Sequence, residues 1–491
     1  MRALLLVTIG AGALLNVVLA LAVIFRPDEA RYGEAIIYQQ AGRILHGQPL
    51  YQPIDQPPYT VTAYTPLYYW LAALLRLAFG PGFGPGRALS FVAGLAAAAL
   101  VSYLAWRRTR ARWPALAAAL LFLALGLVGP IPWSASYKED VLAVTLSLGA
   151  IAALDGATSK RRVSTAALLA ALAILTKQTM LPAALAGGIW LVASQRPRLA
   201  VLFVAVIGAV APGPLVLLEM ATHALLANAV LANVNPFSTT ALEYNLTLLA
   251  LFQTGPLLVA MAYVAARRRF RGLGRDLLLV SWLASVVPVL GLAKEGADYN
   301  YWQLLAATTA VVVASALWER RETLGGAVAG LGLSTNAAMA IVIIGAVAIR
   351  DPGLTHAVPG EDARFGGLVE SARLAPYAVL ADPLDVAVLA GRSVVLEPVI
   401  YKLFYQAGQW NPEPIVEQVC SGQVSLLVLG YPLGSGPTDA AQAEHQWPSP
   451  VLAAFRDALA LRDVVPLGSG QRYVYAPDPA RSGCATASPP R

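Results

Sequence analysis

Two carboxylates stand side by side at Asp28 and Glu29, directly after a long apolar run, in the stretch "FRPDEARYGEAI". A carboxylate beside a reacting hydroxyl can take its proton, and cations close by can steady a leaving anion. Arg31 and Tyr32 follow three and four residues after Asp28, so a helix starting there would bring both onto its face beside the acids. The Arg31 guanidinium matches phosphate oxygens bidentately, and Arg43 would join it if the segment folds back. Further along, Lys177 stands alone between two apolar runs, "YKED" supplies Lys138 and Asp140, and "KEGADYNYWQ" supplies Lys294, Asn300, Tyr301 and Gln303. The three lysines are further candidates for a phosphate, and Tyr32, Asp140, Asn300, Tyr301 and Gln303 for polar contacts to a substrate. Each has a plainer use. An acid after Pro27 caps a helix and meets its dipole, a lysine at the end of an apolar run snorkels, and tyrosines gather at membrane interfaces. His46 and His223 lie too far apart in the chain to make a metal signal by themselves.

The elements that must position these residues are apolar. Of the 491 residues 57% are hydrophobic and only 13% charged, with a mean hydropathy of +0.61, which excludes an ordinary soluble enzyme. Eleven apolar runs, near 3–25, 86–106, 114–129, 139–155, 163–176, 179–194, 199–220, 247–265, 277–293, 302–317 and 324–348, are candidate membrane spans. The pair flanking Lys177 is short. Basic residues fill alternate connections: Arg107, Arg108, Arg110 and Arg112, then Lys160 to Arg162, Arg196 and Arg198, Arg267 to Arg269 with Arg271 and Arg275, and Arg320 with Arg321. Basic loops stay on the cytoplasmic side, which predicts an inner N-terminus and places the first loop, "YKED" and "KEGADYN" outside. The net charge of +7 follows from this topology, and no nucleic-acid partner is read from it. The first run is followed by no small-residue cleavage site and reads as an anchor.

The first outer loop, about residues 26–85, holds two amphipathic pieces, "EARYGEAIIYQQAGRILHG" ending at Gly47 and "YTPLYYWLAALLRLAFG". After residue 349 the composition changes. Residues 350–491 alternate β-like runs ("YAVLAD", "SVVLEP", "VSLLVLGYP", "RYVYAP") with helical patterns such as "SPVLAAFRDALALRDV", predicting a small extracytoplasmic α/β domain with a partly parallel sheet. Cys420 and Cys484 both lie there, either bridged or as two thiols, and the tail after Pro477 has the composition of a disordered segment.

"RPDEARYGEAI" followed by "YTPLYYWL" resembles the first-loop signature of the GT-C membrane glycosyltransferases, especially the protein O-mannosyltransferase and aminoarabinose-transferase group. "LTKQTMLPA", "NVNPFS" and "DYNYWQLLAA" are similar to its bacterial branch, commonly described as RgtA/B/C/D-like; Gln303 departs from the acid expected after the "NY" pair. The resemblance covers residues 1 to about 348. It implies an all-α polytopic domain at 1–349 in the cytoplasmic membrane, taking a sugar from a polyprenyl-phosphate donor to a glycan, lipid or protein acceptor on the outer face. Asp28 would be the base with Glu29 beside it, Arg31, Lys177, Lys138 and Lys294 would face the donor phosphate, and a divalent metal is possible. Competing classes are a multi-span transporter or lipid flippase and a non-catalytic scaffold. Coupled transporters place ionisable groups near the bilayer midplane, where these runs hold essentially none.

Overall fold

The computed structural model describes residues 2–127, 131–267, 273–350, 360–434, 437–468, 470–480 and 484. Arg268, Arg269 and Arg271, and most of the tail after Pro477, lie outside the described residues. Every expected span falls on helix. Six helices are long and apolar enough to cross a membrane: Arg2–Ile24, Gly84–Thr109, Pro197–Thr222, Thr239–Ala266, Tyr299–Glu319 and Leu324–Arg350. The other five expected spans fall on shorter pieces within 112–126, 140–154, 160–176, 182–193 and 277–293. Sequence explains two of the irregularities. Prolines cannot supply the backbone N–H of a helix interior, and they sit at Pro212, where one span divides, and at Pro288 in the fragmented 277–293 piece.

Burial distinguishes the centre of the bundle from its rim. The Tyr299–Glu319 helix is 89% buried over its apolar window, whereas Pro197–Thr222 is 11% buried and turns Val201, Val204, Leu217 and Met220 outward. The central helix therefore begins with the "DYNYWQ" cluster, and its first turn lies at one end of the bundle. Helices α1 (Arg2–Ile24), α2 (Glu34–Leu45), α3 (Leu67–Phe79) and α4 (Gly84–Thr109) bring the first loop to that same end.

The two amphipathic pieces are α2 and α3, as their spacing predicts. Residues 26–33, however, are turns and bends, so no helix starts at Asp28. Gly33 enters α2 at φ +90°, a left-handed conformation that stops a helix from extending backward through it. Glycine also permits a close approach on α4, because a Cβ at Gly86 would lie 1.4 Å from the Tyr137 ring.

Beyond Arg350 four strands form one sheet in the order β1 (Ala378–Asp382), β2 (Val424–Leu429), β4 (Gly470–Pro477), β3 (Leu459–Leu467). β1 and β2 are parallel and the other pairs antiparallel, so the sheet is partly parallel. Alternate residues face opposite layers. Val379, Ala381 and Val428 pack on Phe365 and Leu368 of the Glu361–Leu374 helix, while Leu380, Leu427 and Leu429 pack with Tyr401, Ile415 and Phe455 of three helices on the other face.

Two strand assignments change. "SVVLEP" is no sheet strand but makes one parallel bridge, Leu396 to Tyr59, with Tyr59 N donating to Val395 O (2.9 Å) and Glu397 N to Tyr59 O (2.8 Å). "SPVLAAFRDALALRDV" is helical only over Ser449–Ala458; from Leu459 the chain pairs with β4, whose hydrogen-bond ladder outweighs the local helix preference. The C-terminal unit is also not a separate appendage. Tyr59 and Val61 of the first loop sit in its core, and its Leu384, Val388 and Val394 sit in the core around α2 and α3.

Cys420 and Cys484 form a disulfide across 64 residues of sequence. Closing a loop of that length restricts the unfolded chain by about 4 kcal/mol in the chain-entropy treatment. Cys420→Ser is expected to lower the melting temperature measurably, and added reductant should bring the native protein down to the same value while leaving the variant unchanged.

Candidate active site

The first loop meets the bundle through a buried ion pair that the sequence analysis did not single out. Arg87, in the first turn of α4, donates Nε and Nη2 to the Glu34 carboxylate at 3.1 and 2.6 Å, and both side chains are fully buried. Arg87 also donates to the backbone carbonyls of Val23, Arg26 and Asp28 at 3.0, 2.8 and 2.7 Å, so it spans the whole turn that carries the acid pair. Burial by itself would raise the Glu34 carboxyl, yet Arg87 and the backbone N–H groups of Tyr137 and Ala30 hold it below its ordinary value. The available signal was an arginine opening an apolar run, which has no cheap place there unless paired.

Asp28 is buried, 1% exposed, and held in a fork by Arg26, Nε to Oδ1 at 3.1 Å and Nη2 to Oδ2 at 2.9 Å. The fork takes two of the roughly four acceptor positions of a carboxylate. Glu29 is oriented differently. Its oxygens accept backbone N–H groups from Ala35 (3.1 Å) and Leu384 (3.3 Å), tying the loop to the C-terminal unit. Burial, then the nearby Asp385, push its carboxyl up to about 8, so it is mostly protonated at neutral pH.

This shift has a stability consequence with a definite sign. A carboxyl raised from 4.5 to about 8 favours the folded state fully below the lower value and loses that contribution as pH rises through the upper one. Asp382 and Glu397, raised to about 6 and about 7 by burial, act in the same direction. Between those limits the Glu29→Gln protein is expected to lose less stability with rising pH than the native protein, as read from melts across the pH range.

Arg31, expected at a phosphate, is engaged by the protein. Its N–H groups donate to Asp298 Oδ2 (2.9 Å), Ser136 Oγ (3.2 Å), Ile131 O (2.6 Å) and the Tyr299 hydroxyl (2.8 Å), with the Trp133 ring 4.1 Å beneath it. Arg43 donates both Nε and Nη2 to Pro49 O and lines a separate recess of about 540 Å³ with His46, Arg76 and Arg392. Lys294 donates to Asn233 O at 3.0 Å and fastens two loops together. His46 and His223 belong to no cluster: among the described residues no three His, Cys, Asp or Glu side chains gather as metal ligands.

A second cluster gathers several of the expected residues. Lys177 contacts Asp140 Oδ1, lies 3.3 Å from Glu139 Oε1, and has the Tyr64 and Tyr301 rings at 5.0 and 5.4 Å. Asn300 Nδ2 donates to the same Asp140 oxygen at 2.7 Å. Burial would lower the lysine, but Asp140 and Glu139 hold it above its ordinary value, so its charge is fixed. Both Glu139 oxygens, Asp140 Oδ2, Asn300 Oδ1 and both Gln303 amide atoms are buried without a hydrogen bond inside the protein. Such atoms want a polar ligand or water. The Lys177 ammonium stands on one oxygen of each carboxylate, which leaves Glu139 Oε2 and Asp140 Oδ2 open.

Between the two acid clusters lies Lys138. Its ammonium would be 3.0 Å from a Cβ at Gly33, and it faces the Trp133 ring at 5.9 Å. Among the described residues no hydrogen bond or ion pair engages it. Tyr32 donates its hydroxyl to Glu397 Oε1 (3.3 Å), a residue of the C-terminal unit that also accepts Val61 N (3.0 Å).

The fold, a polytopic helical bundle with a long first loop and a small C-terminal α/β unit, is shared with solved structures of glycosyl-transferring membrane proteins. The particular structures it resembles are aminoarabinose transferase ArnT from Cupriavidus metallidurans bound to undecaprenyl phosphate (TM-score 0.60, 15% identity, 97% of this chain and 99% of that one) and its apo form (0.62, 13%, 97% and 98%). The oligosaccharyltransferase of Archaeoglobus fulgidus is similar at TM-score 0.51 and 14% identity over 86% of this chain and 69% of that one. No protein-family profile and no curated protein matches the sequence.

Proposed function

We propose that the protein transfers a sugar from a polyprenyl-phosphate carrier to a hydroxyl of a glycan, lipid or protein at the extracytoplasmic end of the bundle. The observation that carries this reading is a buried Asp28 carboxylate and, near it at the junction of first loop and bundle, a half-buried Lys138 ammonium that no hydrogen bond or ion pair engages among the described residues. The ArnT fold, in a structure that holds undecaprenyl phosphate, supports the choice of carrier. In a single displacement the acceptor oxygen bonds to the anomeric carbon as its proton passes to Asp28, and the bond from that carbon to the phosphate oxygen breaks. The electron pair leaves with the polyprenyl phosphate, whose charge Lys138 steadies, and the configuration inverts. Asp140, Asn300 and Gln303 offer their unpaired polar atoms to the sugar, while Lys177, Arg31 and Lys294 hold the walls in place.

The test is transfer from a labelled polyprenyl-phosphate sugar by the purified protein in liposomes. Lys138→Ala is expected to raise the KM for the carrier about tenfold, the worth of one charge-assisted contact of about 1.5 kcal/mol. Movement of a solute or lipid across the vesicle wall with no sugar transfer would assign the chain to transport instead.

A further inference from the structure

Resting on that reading, we propose that the C-terminal unit completes the active site, with Arg472 on β4 and Asp385 at the head of the Asp385–Leu389 helix acting as positioning residues for Asp28. Arg472 Nη2 lies 3.1 Å from Asp385 Oδ2 and 3.7 Å from Asp28 Oδ2. The same Asp385 oxygen accepts the backbone N–H of Glu29 at 2.9 Å, and Asp385 Oδ1 accepts that of Val386 at 2.8 Å. All three side chains are buried, at 4% exposure or less. Two guanidiniums, the half-buried Arg26 and the buried Arg472, therefore face two buried carboxylates, Asp28 and Asp385.

The arrangement constrains Asp28 from both sides. Arg26 fixes it from the end of α1, and Arg472 reaches the same Oδ2 from a strand late in the sequence. Asp385 aims Arg472 while gripping the peptide next to Asp28. The other charged or titratable groups about Asp28 are Arg87, on its carbonyl, Glu34 through Arg87, Glu29 beside it, and Asp382, which interacts with both Glu29 and Arg472. Deleting Arg472 removes a cation from Asp28. Neutralising Asp385 does the reverse, since it leaves Arg472 to Asp28 alone. A purely structural contact would not move the titration of Asp28 in opposite directions on these two changes.

The experiment measures kcat and KM for the labelled carrier against pH in the full-length protein, with melts recorded in parallel. Arg472→Gln is expected to lower kcat about 10- to 100-fold, the range of an impaired proton transfer, with the carrier KM nearly unchanged. Its acidic limb should move to higher pH. Asp385→Asn should move that limb to lower pH, and Arg472→Lys should restore part of kcat. If Arg472→Gln does not fold, the Asp385→Asn and Arg472→Lys limbs decide. Folded variants with native kcat and an unmoved limb overturn the proposal, while an inactive Asp28→Asn control in the same assay would leave the transferase reading intact. An active Asp28→Asn control would remove both.

Discussion

Asp28→Asn is expected to abolish sugar transfer, lowering kcat by about two to four orders of magnitude, the usual contribution of a positioned general base. The asparagine keeps the shape and can still accept an N–H bond from Arg26, but it offers no charge to an incoming proton. The neutral side chain also removes the carboxylate that Arg26 forks and that Arg472 faces beside Asp385. Removing one partner from a buried charge cluster costs about 3–5 kcal/mol, so the variant should melt lower as well. The two effects separate on the retained folded fraction: activity normalised to folded protein isolates the chemistry. Native turnover in that fraction would remove Asp28 from the mechanism.

Arg87→Met should produce the largest loss of stability of any single substitution at this end of the bundle. It strands the fully buried Glu34 carboxylate and releases the carbonyls of Val23, Arg26 and Asp28 from their donor. A loss of about 3–5 kcal/mol follows for the broken pair, with more from the unsatisfied carbonyls. Removing the carboxylate as well, in Glu34→Gln with Arg87→Met, should recover a good part of the loss, because a neutral pair avoids the cost of an isolated buried charge. Melting of the single and double variants forms the cycle that measures this coupling. A double variant no better than Arg87→Met alone would show that the guanidinium acts mainly on the carbonyls.

The sequence by itself determined the class of the protein, because the signals involved are local. Apolar runs long enough for a bilayer, basic connections and a break in composition after Arg350 require no knowledge of what touches what. The same holds for α2 and α3, whose apolar spacing marks one face, and for β1, β2 and β4, short β-branched runs bounded by turns. The acid pair was legible too, and Lys177, Asp140 and Asn300 were each legible as candidates, but not as one cluster.

Tertiary structure alone decided how these groups divide their tasks. Arg31 and Lys177 look like ligand cations in sequence, and the fold pairs both with carboxylates hundreds or tens of residues away, Asp298 for one and Asp140 for the other. Asp28 and Glu29 are neighbours with opposite fates, since burial against Asp385 keeps Glu29 protonated while two arginines compensate Asp28. Asp385, Glu397 and Arg472 carried no sequence signal, being ordinary charged residues in a soluble-looking segment. Their importance arises only when the C-terminal unit packs onto the first loop, because charge acts through distance and dielectric, and neither is written in the order of residues.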